Sequence, residues 1–342
     1  MALRRASWGI ALFLIGALSL WAAEDQEREV PPADCESLKA IPLPIEDKPS
    51  AAITESLKDC SSEALYYGIG VTKDPVRARQ CAYAERESPD NGWPNLFAGS
   101  GMLMTIYANG TGAKRNFGLA MKFACELHGA PAEEEGWLAH LQRLKKENWQ
   151  GRDFSPCDDI TSGAAMGSCE AHEAQLAGAS RKAKLASMIA HWRDPERKAF
   201  AALEKAKDDY VTAVGDNEVD QSGTARGALA IGATEAEEER FLTTLQRLIA
   251  GDLPRASVSD LAKTGDKLNA LYQKIQKSRD STGWGTVTKD GIKKTERAWL
   301  IYRDAFVDFA KLKSPSFAPE SLEKVLTEDR IKLLEGFGGE RR

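Results

Sequence analysis

The sequence predicts an all-α protein. From about residue 51 onward apolar residues recur at helical spacing, Pro and Gly cluster in short connections, and no stretch alternates like a half-buried strand.

The first element is a leader. Arg4 and Arg5 precede an almost wholly apolar run from Trp8 to Trp21, and Glu24-Asp25-Gln26-Glu27 then turns acidic. An apolar run of about 14 residues is short for a membrane span and suits a signal-peptide h-region. Residues 1–23 are therefore read as a signal peptide cut near Ala22-Ala23, which places the mature chain in the periplasm or outside the cell. Neither cut leaves a small residue three positions upstream, so an uncleaved anchor is the other reading.

Cysteine usage points the same way. Cys35, Cys60, Cys81, Cys125, Cys157 and Cys169 all follow the leader, none forms a Cys-x-x-Cys pair, and no histidine is near enough for a zinc site. An even count in an oxidising compartment reads as up to three disulfides, with fifteen connectivities open. No metal and no small-molecule cofactor is expected. The formal charge of -5 becomes -7 once Arg4 and Arg5 leave with the leader. Nucleic acid is thereby excluded as a natural partner, since phosphate binding needs a basic face. An acidic chain is drawn instead to cationic proteins.

Residues 24–50 carry Pro31, Pro32, Pro42, Pro44 and Pro49 with little periodicity. They read as a Pro-rich linker, or as an extended arm tied down at Cys35.

Residues 51–150 contain an internal echo. Ala64-Leu65-Tyr66-Tyr67-Gly68-Ile69-Gly70-Val71-Thr72-Lys73-Asp74 precedes a helical run carrying Ala78. Forty-two residues later, Thr105-Ile106-Tyr107-Ala108-Asn109-Gly110-Thr111-Gly112-Ala113-Lys114-Arg115-Asn116 precedes a run carrying Ala120. Each unit is helix, glycine turn, helix, and a period near 40 built from helix pairs is the mark of a short helical solenoid. The stretch 45–130 resembles Sel-one-like repeats, with an aromatic, Gly-x-Gly-Val, an Asp and a later Ala. The second copy departs at Ala113, where Val is usual. The resemblance implies a binding scaffold. Cys60 and Cys81 are equidistant from the first turn, so an antiparallel hairpin brings them face to face. Cys35 with Cys125 follows only by elimination and stays open.

Residues 151–342 show a second echo, at a spacing of 92 residues. Phe200, Leu203-Glu204-Lys205-Ala206, Tyr210 and Ala213 correspond to Ile292, Thr295-Glu296-Arg297-Ala298, Tyr302 and Ala305. An apolar helix precedes and another follows each segment, which predicts two degenerate copies of a three-helix unit over about 157–248 and 256–340. Ile292, Thr295, Trp299, Tyr302, Phe306 and Phe309 step by three and four, as a buried stripe does.

This half resembles the LprI family of lysozyme inhibitors. The second copy carries Leu-Asn-x-x-Tyr as Leu268, Asn269 and Tyr272, and Trp-x-x-Tyr-Arg-Asp-Ala as Trp299, Tyr302, Arg303, Asp304 and Ala305. In the first copy, Cys157-Asp158-Asp159-Ile160-Thr161 with Cys169 is similar to the family's opening Cys-bearing segment. Ser222-Gly223-Thr224-Ala225-Arg226 is similar to its glycine loop. The sequence departs where the family has a cysteine after Arg-Asp-Ala and another in the next helix. Phe306-Val307 and Leu322 or Val325 stand there, and Val211-Thr212 replaces Arg-Asp in the first copy. These losses put the inhibitory surface in doubt more than the fold.

No catalytic constellation is legible. Glu133-Glu134-Glu135 and Glu237-Glu238-Glu239 are read as solvated faces, because three adjacent acids on a helix point three ways and cannot converge on one bond. His128, His140, His172 and His191 are scattered, and none sits in a nucleophile, zinc or phosphate-loop motif. The sequon Asn109-Gly110-Thr111 falls on the turn glycine and reads as a turn. Arg303 is expected either to pair with an acid on a neighbouring helix or, with Asp304, to contact a partner. In the loop Ser278–Thr288, Arg279 and Trp284 are the candidate binding anchors, unless the tryptophan folds back on the helices.

The expected function is therefore binding rather than catalysis: an inhibitor of a cationic lysozyme or another cell-wall hydrolase, acting by occlusion of its cleft. The alternative is an interaction scaffold or a toxin-immunity protein that uses the helical repeats.

Overall fold

The computed structural model describes residues 35–88, 95–279, 281–314 and 317–338; the expected leader and the first part of the Pro-rich segment lie outside them. Among the described residues there are thirteen α-helices and no strand, so the protein is all-helical. No described helix is long and apolar enough to cross a membrane.

The helices are α1 (Cys35–Lys39), α2 (Ala51–Thr54), α3 (Ser62–Tyr67), α4 (Pro75–Arg86), α5 (Gly99–Asn109), α6 (Phe117–Ala124) and α7 (Pro131–Lys146). Longer ones follow: α8 (Gly163–Ile189), α9 (Asp194–Asn217), α10 (Arg226–Ala250), α11 (Val258–Lys277), α12 (Lys289–Lys313) and α13 (Pro319–Gly338). Short polar caps fix their starts. Ser61, Asp74, Asn116, Ser162, Ser257 and Thr288 each accept a backbone N–H of the first turn that the helix itself leaves unpaired.

The helix pairs α3–α4 and α5–α6 close in the same way. Gly68 and Gly110 take φ of 83° and 63°, a left-handed conformation that spares glycine the Cβ clash. Asp74 N–H donates to the Leu65 carbonyl at 2.8 Å, and Asn116 N–H donates to the Tyr107 carbonyl at 3.0 Å. Ala78 and Ala120 are both wholly buried. Asn109 of the sequon is buried as well: its amide donates to the Tyr66 hydroxyl and the Phe154 carbonyl, and its oxygen accepts from Phe154 N–H.

Three disulfides form: Cys60–Cys81 across the first helix pair, Cys35–Cys125 and Cys157–Cys169. They are consistent with an oxidising, exported location. The described part of the Pro-rich segment, 35–50, is not a free linker. Leu38 is buried against the first core with Ile41 and Leu43 beside it. Asp47 accepts from the Tyr107 hydroxyl at 2.7 Å and pairs with Arg79 at 3.0 Å, so the segment is an arm laid across α4, α5 and α6.

There are two hydrophobic cores, and their border lies inside α8 rather than at residue 150. The first runs through Phe154, Ala165 and Cys169, and the second begins at Trp192. His172 sits at the join, with Nδ1 2.6 Å from Glu63 of α3 and its ring stacked on Phe97 at 3.9 Å. In the second core α9 and α12 pack most closely on each other, α8 packs on α10, and α11 packs on α13. Where the inhibitor family's cysteine staple is absent, Phe306, Val307 and Leu322 belong to that core.

Two acids read as solvated are buried. Glu133 is 1% exposed because it accepts from Ala130 N–H and from the N–H groups of Thr161 and Ser162, so it caps the starts of α7 and α8 together. Glu237 is buried by its bonds to the Tyr210 hydroxyl and Arg240. Only geometry reveals such duties: unpaired helix-end amides and a buried phenol require acceptors.

Candidate functional site

The candidate site is an open groove of about 610 Å³ along α11 and α12, with Glu323 and Thr327 of α13 also in its lining. It exists because α11 packs on α13 and scarcely touches α12, leaving the two walls apart. Leu268, Asn269 and Tyr272 stand on one wall, and Trp299 and Arg303 on the other. The two sequence motifs, 27 residues apart at their nearest, thus share one surface.

Helical spacing decides which motif residues take part. Leu268 and Trp299 are buried in the groove bed, Tyr272 is half-buried, and Asn269 is exposed. Tyr302, three positions after Trp299, turns inward and stacks on Tyr210 of α9 at 5.3 Å with the rings 6° apart. Its phenol is pushed far up by burial, with the Asp329 and Glu238 charges adding to the rise. Arg303 does not reach an acid on a neighbouring helix. It pairs with Asp304 beside it at 2.7 Å and lies over the buried Trp299 ring at 5.3 Å, an arrangement that leaves both charges in contact with solvent. Asp304 itself points to solvent and serves as this clamp.

The loop anchors do not join the groove. Arg279 is exposed in the connection after α11, outside the groove lining. Trp284 folds back: it is 7% exposed and meets Phe337 of α13 edge-on at 5.8 Å. The loop is held from below, where Asp220 of the α9–α10 connection accepts from Thr286 N–H at 3.0 Å. Hydrogen bonds from Ser222 and Thr286 lower the Asp220 carboxyl to about 2. The plug expected of this loop therefore corrects to a docked lid over the core, since apolar burial of an indole outweighs its exposure.

Several groove residues escaped the motif reading, namely Gln273, Lys293, Glu296 and Arg297. The spacing of Lys293 and Arg297, one helical turn apart, was the available signal. Glu296 forms part of the groove bed, where its carboxylate accepts from Arg330 Nε at 2.9 Å. Burial raises its pKa; Arg330 opposes that rise and Glu218 adds to it. Tyr272 is likewise raised by burial and by the Glu296 charge, with Arg297 and Arg330 pulling it back.

A second cavity of about 550 Å³ lies among Leu96, Trp137, Glu133, Ser162 and Thr224. Its one carboxylate, Glu133, is spent on backbone N–H groups. Among the described residues no cluster of three His, Cys, Asp or Glu is placed to hold a metal ion. No family model, no curated protein and no solved structure matches the chain.

Proposed function

We propose that this is an exported binding protein that inhibits a lysozyme-type cell-wall hydrolase by covering its cleft with the α11–α12 face. One observation carries the reading. Leu268, Asn269, Tyr272, Trp299 and Arg303, five residues of the two inhibitor-like motifs, come together on one open groove. The face has the make-up of a binding surface: an aromatic and aliphatic bed, two arginines, and the exposed Leu300 and Ile301 alongside. Binding is favoured over catalysis because the half-buried acid of the groove, Glu296, is tied to Arg330 and is not free to transfer a proton. The scaffold alternative draws less support, since the arm already lies across α4, α5 and α6 of the repeat block.

The test is titration of the purified mature protein against a cationic lysozyme in a cell-lysis assay. A stoichiometric fall in lysis is expected, and undiminished lysis at large molar excess would sink the proposal.

A further inference from the structure

Arg297 lines the groove from the middle of α12, with Lys293 one turn before it. Both are exposed, and neither has a hydrogen bond or ion pair with any described residue. The other arginines of this region are already neutralised: Arg303 by Asp304, and Arg330 by Glu218 and Glu296. Open polar groups accompany Arg297, for the Asn269 and Gln273 amides and the Tyr272 hydroxyl share the lining and have no partner among the described residues. Leu261, Leu300 and Trp299 supply an apolar bed.

An unpaired guanidinium fork beside amide and hydroxyl donors is suited to a carboxylate. Asp266 and Glu323 line the same groove, so a small free anion meets repulsion as well as attraction. The combination suits carboxylates carried on an otherwise basic surface: the cation meets the acids, and the acids meet the surrounding base. A glycosidase cleft with its pair of acids, set in a cationic protein, has that pattern.

We propose that Arg297, assisted by Lys293, Gln273 and Tyr272, is the group that engages the catalytic carboxylates of the target hydrolase, while Asp266 and Glu323 face the basic surface around them. This assignment rests on the inhibitor reading above and adds to it the chemistry of the contact. It displaces Arg279 and Trp284 from that role.

The experiment measures inhibition and binding of a cationic lysozyme by the full mature chain and by Arg297→Ala, Arg297→Lys and Arg279→Ala. Arg297→Ala is expected to weaken binding at least ~30-fold, as loss of one member of a close interfacial charge pair does. Arg297→Lys recovers part of the loss, and Arg279→Ala leaves binding unchanged. Arg297 is exposed, so helical content and thermal midpoint should match the parent and certify the fold. A lysozyme whose catalytic acids are replaced by amides should bind the parent weakly and show no further loss with Arg297→Ala. Parent inhibition with undiminished inhibition by Arg297→Ala overturns this assignment alone. No inhibition by the parent overturns the inhibitor reading and this assignment with it.

Discussion

Arg330 of α13 grips Glu218 at the end of α9 through two parallel hydrogen bonds of 2.6 and 2.8 Å, with its guanidinium wholly out of solvent. Its Nε reaches Glu296 of α12, so one side chain ties together the three helices α9, α12 and α13. A buried fork of this kind contributes little over an apolar replacement, yet loss of one partner strands a charge. Arg330→Ala is expected to lower stability by about 3–5 kcal/mol, read from denaturant unfolding. Arg330→Met with Glu218→Leu and Glu296→Leu should recover most of that loss, because no carboxylate is then left without its partner. A single arginine variant as stable as the parent would show that the network does not hold α9, α12 and α13 together.

Glu133 predicts a pH dependence. Burial alone would raise its pKa, but the hydrogen bonds from Thr161, Ala130 and Ser162 outweigh burial and hold it below the ordinary value. A carboxyl lowered in the folded state contributes stability above its unfolded pKa, and that stability disappears as pH falls through the folded value. The parent should therefore exceed Glu133→Gln in thermal midpoint at neutral pH, and the difference should shrink on acidification below about pH 4.3. A gap that persists unchanged at pH 2 would contradict this assignment.

The three disulfides close chains of very different length, with sequence separations of 90, 21 and 12 residues for Cys35–Cys125, Cys60–Cys81 and Cys157–Cys169. The chain-entropy account gives about 4.6, 3.4 and 2.9 kcal/mol respectively. Paired Cys→Ser variants should lose stability in that order. Loss of the Cys35–Cys125 link should also free the arm, which limited proteolysis near residues 40–50 would report.

Trp284 and Arg297 separate stability from binding. Trp284→Ala empties a buried site and should cost about 3 kcal/mol or more in unfolding free energy. Its affinity for a lysozyme target, measured on the folded fraction, should match the parent. A large affinity loss without destabilisation would restore the loop as the contact.

Asn109 should stay unglycosylated when the protein is made in a glycosylating host. Its amide nitrogen donates two hydrogen bonds inside the core, and a glycan there would require the helix end to unfold. Intact-mass measurement decides this; a glycan on Asn109 would contradict the buried placement.

Much of the helical architecture was legible because it follows from local rules. The turns at Gly68 and Gly110 need a left-handed backbone, the caps need short oxygen-bearing side chains, and the stripe from Ile292 to Phe309 follows the helix period. The motif residues of the groove could be named, but not the groove. Its existence depends on α11 packing on α13 instead of α12, which helix periodicity does not encode.

By itself, then, the sequence determined an all-helical chain, a cysteine complement suited to disulfides, and the stripe from Ile292 to Phe309 that α12 turns inward. Only the tertiary structure decided that Trp284 is packed away, that Glu133 and Glu237 are buried acceptors, and that Arg330 joins Glu218 to Glu296. It likewise brought Tyr272 and Arg297 to one groove. The physical reason is range. Periodicity and capping act within a few residues, whereas a side chain's exposure and its partners are set by elements far away in the chain that compete for the same space and the same hydrogen bonds.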